Sequence, residues 1–238
     1  MAHNLFGKKV LMDNINSKDI INVDLSKQNR YLISELNKHH IPYKIRDDTF
    51  FNTFPKQLNH QGIVITIDKK QTITTIESLV EFTNLKTRSV ILVIDSIQDP
   101  QNFGSILRTC DAMKVDAIIY KKNNQVQIND FVSKTSMGAI QHLNLIKVSN
   151  LNQVITTLKK TGFWSYVSTL TENSAPYTKV RFMPKTVLIV GNEEKGVSQL
   201  LTKLADFQIK IPMLGKVQSL NVSVATGIIL AEINRQIS

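Results

Sequence analysis

Cysteine is almost missing from this chain: Cys110 stands alone among 238 residues. It has no partner for an intramolecular disulfide, and a Cys-rich zinc module is excluded. A reducing compartment suits such a chain, so a cytoplasmic location is expected. Glycine and proline number only nine and six, and there is no repeat or low-complexity tract, so disorder is not expected to dominate. No Gly-x-Gly occurs, which removes a dinucleotide fingerprint; no Gly-Lys-Ser/Thr closes a phosphate loop, and no serine nucleophile elbow is present. His39, His40, His60 and His142 lack metal-ligand spacing, so no metal site is expected. No apolar run reaches the length of a membrane span, and the segment from Met1 to Lys9 lacks the apolar centre of a signal peptide.

What is present is a 42% hydrophobic composition, enough for a sizeable core, and a net charge of +10. The basic excess runs along the whole chain. It favours a nucleic-acid partner, with anionic lipid a weaker second. Lone Trp164 and the phenylalanines read as core residues, not as a base-stacking stripe.

Two regions separate by pattern. Residues 1–70 read as helix, strand, helix, strand, helix, strand. Ile20 to Leu25 and Tyr43 to Arg46 are strand candidates, Arg30 to Lys38 is an amphipathic helix, and Asn59-His-Gln-Gly62 is a turn before a buried strand. Residues 71–88 read as a linker with a bridging helix near Glu77 to Leu85. From residue 89 to residue 238, strand and helix alternate. The continuous apolar run Val90 to Ile94 suggests a strand covered on both faces. This is an α/β pattern with a largely parallel sheet, whose ligands gather at the carboxyl ends of strands. Polar loops follow Ile94, Val190 and Ile211 at that position.

The first loop stretch, Asp95 to Cys110, runs into a helix for which Asn102 is a candidate cap. Arg108, six residues on, is expected to share a face with Asn102 and could grip a phosphate. In the second loop, Gly191-Asn-Glu-Glu-Lys-Gly196, a glycine at the end of a buried strand would let a ligand lie against the backbone, and Glu193 could orient Arg108. The third runs from Ile211-Pro-Met through Ser219-Leu-Asn221 into a helix, with Ser219 or Asn221 as its cap. Each alone is also consistent with an ordinary capped helix or solvated loop.

Together the loops are far more specific. Asp99-Pro-Gln-Asn-Phe-Gly-Ser-Ile-Leu-Arg-Thr109, Gly191-Asn-Glu-Glu-Lys-Gly196 and Ile211-Pro-Met through Ala225 resemble, in order and spacing, the three motifs of the SpoU/TrmH family of RNA ribose 2'-O-methyltransferases in the SPOUT superfamily. Residues 1–70, with Asn59-His-Gln-Gly62, are similar to the small L30-like RNA-binding domain that precedes the catalytic domain in many members. The chain is most similar to the subgroup acting on guanosine of 23S rRNA. The resemblance implies a deep trefoil knot, S-adenosylmethionine as cofactor, RNA and not DNA as partner, and a homodimer with its active site at the interface. It implies donor contacts from Gly191, Ile211, Leu220 and Thr169. It implies catalysis by Arg108, with Asn102, Glu193, Ser219 and Asn221 positioning it or adjacent groups. Arginine is awkward as a base because guanidinium stays protonated above pH 12, so stabilisation of a developing alkoxide is the better role for Arg108. Rival expectations are a tRNA ribose methyltransferase and a non-catalytic RNA-binding assembly factor. The intact set of site residues argues against the latter.

Overall fold

The computed structural model describes residues 2–17, 19–55, 59–68, 73–192 and 195–237. The chain forms two compact units, and elements are numbered along the chain. The first unit combines Met1–Lys70 with Ile128–Gln141. Its sheet has the order β1 (Ala2–Phe6), β4 (Ile63–Asp68), β2 (Ile20–Ser26), β3 (Tyr43–Arg46), in which only β2 and β3 run parallel. Leu11 of α1 (Lys8–Asn14) and Leu36 of α2 (Ile33–Lys38) pack with Leu5, Val23, Leu25 and Ile65 from the strands.

Three features of this unit depart from the sequence reading. The first element is a strand, β1, not a helix; Ala2–Phe6 is too short and mixed to show a period alone, and it is defined by its antiparallel partner β4. The expected helix Arg30 to Lys38 begins as a 3-10 turn, Lys27–Leu32, and only then becomes α2. The third departure is that α6 (Asp130–Thr135) belongs here although it lies far along the sequence. The cause is Phe131, which packs against Phe6, Phe51 and Val64.

The turn before β4 explains its glycine. Gly62 has φ +67°, and a Cβ there would stand 2.3 Å from the Ser26 hydroxyl. Gly62 donates its N–H to His60 Nδ1 at 2.9 Å, and its carbonyl accepts from the Ser26 amide at 2.8 Å. His60 stacks on Phe51; burial, with Lys134 nearby, holds its pKa below the usual histidine range.

The second unit is built on a seven-stranded sheet in the order β7 (Leu145–Val148), β6 (Ala117–Lys121), β5 (Ser89–Asp95), β10 (Lys185–Gly191), β8 (Trp164–Ser168), β11 (Phe207–Lys210), β9 (Ala175–Pro176). Every neighbouring pair is parallel. All seven residues of β5 are buried, as its continuous apolar run requires. The span expected as a linker is part of this unit: Leu79 of α4 (Ile76–Asn84) joins the core with Ile91, Val93 and Ile155. Trp164 is 43% exposed at the start of β8, not a core residue; it lies against Phe207 instead. Parallel order puts the ends of β5, β8, β10 and β11 at one edge, so the loops that follow them meet.

Candidate active site

The loop after β5 enters α5 (Pro100–Ala112). The cap is Asp99, not Asn102: its carboxylate accepts the amides of Gln101 at 3.0 Å and Asn102 at 3.3 Å, with Pro100 at the first helical position. The Asp-Pro pair was the available signal, since proline favours the position just after a cap. Asn102 is thereby inside the helix and buried. Nor does it share a face with Arg108. Six steps of about 100° fall about 120° short of two turns, so Arg108 is exposed on another side of α5.

The loop after β10 is folded tightly on itself. A Cβ at Gly191 would lie 2.3 Å from the Gly196 carbonyl carbon and the Val197 nitrogen. On its Cβ side the backbone that approaches this glycine is the chain's own, while Gly191 also lines the cavity that the loops enclose. Asn192 and Gly196 exchange backbone hydrogen bonds at 3.0 and 2.9 Å, and the Asn192 side chain donates to the Ser96 carbonyl at 3.0 Å. Asp95, at the end of β5, fixes the other side. Its carboxylate, buried to 2% exposure, accepts the Ser198 amide at 2.9 Å and the Ser96 hydroxyl at 2.9 Å and pairs with Lys121 at 2.5 Å. Burial pushes the Asp95 pKa up, but the Lys121 ammonium, Ser198 and Ser96 outweigh it and hold the carboxyl below its ordinary value. Ser96 sits in the left-handed region at φ +69°, which turns its carbonyl toward Asn192.

The third loop, 211–220, forms no backbone–backbone hydrogen bond among the described residues, so its amides and carbonyls are open to a ligand or water. It ends at Asn221, which caps α9 (Val222–Ile237): the Asn221 Oδ1 accepts the Ser223 amide at 2.8 Å. This decides between the two candidate caps. The other end of the same side chain donates from Nδ2 to Asn102 Oδ1 at 2.8 Å.

These loops enclose a cavity of about 760 Å³. Asn102, Ser219 and Asn221 line it, as do Thr169, Gly191, Ile211 and Leu220. Thr169 is held by its amide, which donates to the Ile209 carbonyl at 3.0 Å. Arg108 is not on the wall, and Glu193 lies outside the described residues. Sequence reasoning missed Ser168 and Thr171 beside Thr169, Lys210 beside Ile211, and Met213 and Gln218 in the third loop. The neighbourhood of each expected residue was the only signal for them. Among the described residues the wall carries no carboxylate and no histidine; its charged members are Lys195 and Lys210. No group of His, Cys, Asp and Glu suited to a metal ion occurs among the described residues. A volume in the usual small-ligand range, apolar lining from Leu170, Met213 and Val222, and the open backbone of 211–220 suit a nucleoside-sized ligand with a polar edge.

Comparison with known proteins gives this geometry its context. The model of the SpoU rRNA Methylase family matches residues 89–231. An uncharacterized tRNA/rRNA methyltransferase of Mycoplasma genitalium is 48% identical over 229 residues, 95% of this chain and 94% of the relative. Among solved structures, the AdoMet-bound rRNA methyltransferase from Sinorhizobium meliloti superposes with a TM-score of 0.79 at 21% identity, covering 100% of this chain and 88% of that one. The A. aeolicus TrmH/SpoU tRNA modifying enzyme is 35% identical, with a TM-score of 0.58, over 68% of this chain and 83% of its own. By its matched motifs, its parallel sheet and these likenesses, the chain belongs to the SpoU rRNA methylase family of RNA methyltransferases.

Proposed function

We propose that this protein methylates a ribose 2'-hydroxyl of RNA, that the acceptor is a guanosine of 23S rRNA, and that it works as a homodimer. The observation that carries the reading is the Asn221–Asn102 hydrogen bond at the rim of the cavity, which joins the third loop to the first where donor and acceptor must meet. S-adenosylmethionine supplies an electrophilic sulfonium methyl, so the protein needs no covalent nucleophile. The open backbone of 211–220 and the turn at Gly191 would hold the adenosyl end, and Lys210, on the same wall, would suit the donor's carboxylate.

The remaining task is to align the 2'-oxygen and let its proton leave. The proton passes to water or to a second group. Arg108 stays protonated and stabilises the developing alkoxide and a neighbouring phosphate. Because Arg108 stands outside the cavity of its own chain, the partner subunit's Arg108 completes the site. The same reading includes a deep trefoil knot in the second unit, an L30-like first unit that grips RNA, and a cytoplasmic setting.

Titration with S-adenosylmethionine tests the donor: absence of binding rejects the enzyme. Mapping ribose methylation in RNA from cells lacking the protein tests the acceptor. Loss of one site in large-subunit rRNA is expected. Loss in tRNA instead would support the second reading, which the 35% identity to a tRNA modifying enzyme favours.

A further inference from the structure

A second cleft of about 710 Å³ lies on the other side of the Asn192–Gly196 turn. Asn192, Lys195 and Gly196 line both spaces, so one thin wall divides them. The charges of this cleft are Asp95, Asp99, Lys121 and Lys195 among the described residues, and they balance. Three are already engaged: Asp95 with Lys121, and Asp99 with the amides that begin α5. Such a wall offers a phosphate no net attraction.

It does offer neutral hydrogen-bonding groups. Gln98 and Asn124 line the cleft, and neither side chain has a hydrogen-bond partner within the described residues. Both are exposed, and the segments that carry them are joined. The Ile97 amide donates to the Gln125 side-chain carbonyl at 2.8 Å, and the Val126 amide donates to the Ile97 carbonyl at 2.9 Å. The residues beside Gln98 and Asn124 are therefore tied together, which brings the backbones that carry these two primary amides to one cleft. An amide presents a donor and an acceptor together, which matches the edge of a nucleobase.

We propose that this second cleft receives the base of the RNA nucleotide whose ribose is methylated, with Gln98 and Asn124 reading the base edge. The inference rests on the methyl-transfer reading above. The ribose then passes the edge of the shared wall toward Asn102 and Asn221 in the donor cavity, and the base sits among the neutral hydrogen-bonding groups of the second cleft.

The test uses the full-length Gln98→Ala, Asn124→Ala double variant and the RNA site mapped in cells lacking the protein. Donor affinity is measured first, without RNA, and is expected to equal the wild type. With a transcript of the mapped site, KM for RNA is expected to rise roughly 10- to 100-fold for two lost hydrogen-bonding groups, with little change in kcat. Exchanging the target base in the transcript is expected to slow the double variant much less than the wild type. A double variant with wild-type KM, or one that discriminates against the exchanged base as strongly as the wild type, overturns the proposal. If the wild type itself binds no S-adenosylmethionine, the methyl-transfer reading fails and this one fails with it; the RNA-free titration identifies that case.

Discussion

Asn221 holds Asn102 from 119 residues away: its Nδ2 donates to Asn102 Oδ1 at 2.8 Å while its Oδ1 caps α9 through the Ser223 amide at 2.8 Å. One side chain thus starts a helix and ties it to another. Both amide orientations are fixed by this pairing, because Oδ1 must face the backbone donor.

Replacing Asn221 separates these roles. Asn221→Ala loses cap and bridge together, and the unfolding free energy is expected to fall by about 1–2 kcal/mol, read by denaturant titration. Asn221→Asp keeps the cap but faces the Asn102 carbonyl with a carboxylate. It is expected to keep most of the stability while donor affinity drops, as calorimetry would report. Equal losses of stability in both variants would refute the division of labour.

Gly191→Ala places a methyl 2.3 Å from the backbone of Gly196 and Val197, where no flexible side chain can yield. The turn must open, at a cost of about 1–3 kcal/mol, and weakened donor binding should accompany it. A variant of wild-type stability and affinity would show that the turn is not needed in this form.

Asp95 sets a pH window. Its folded pKa lies below the ordinary value, so the stability it contributes is present above about pH 4 and is lost as pH falls through the folded value. Asp95→Asn is expected to cost roughly 2 kcal/mol at neutral pH. The gap between variant and wild type should close on acidification below about pH 4. A gap that stays constant to pH 2 would mean that charge is not the source.

Arg108 offers a test of the dimer. Arg108→Ala should leave donor affinity intact, since Arg108 is absent from the cavity wall, yet lower the single-turnover rate by roughly 100-fold or more. Arg108→Lys retains the charge without the planar fork and is expected to restore only part of that loss. Mixing Arg108→Ala with Asn102→Ala subunits should rebuild an intact site in about a quarter of positions. No recovery on mixing would place Arg108 in the same site as its own Asn102.

The sheet of the second unit was legible because its strands declare themselves. Val90 to Ile94 has no polar face, and the strand Leu145–Val148 matches the expected limits. Features set by distant partners were not legible. Strand β1 exists through β4, β9 has two residues and rests on β11, and Phe131 joins a cluster more than sixty residues away in sequence. At the site, residue types were readable but their duties were not. Gly191 was expected to let a ligand approach; it lines the cavity, and the close approach of Gly196 and Val197 to its Cβ side was not readable from the sequence. Asn102 resembled a cap because asparagine caps helices well, but the Asp99-Pro100 pair three residues earlier had already filled that place.

Phe131 also determines how the protein can be divided. A fragment ending at Lys70 loses this ring and leaves Phe6, Phe51 and Val64 without part of their cover. A fragment beginning at Ser89 carries the α6 helix away from the strand it packs on. The folded units are thus not the two halves of the sequence. Exchange of the first unit between relatives would require moving two separate stretches together, and recombination at a single junction would leave a mismatched aromatic cluster in both products.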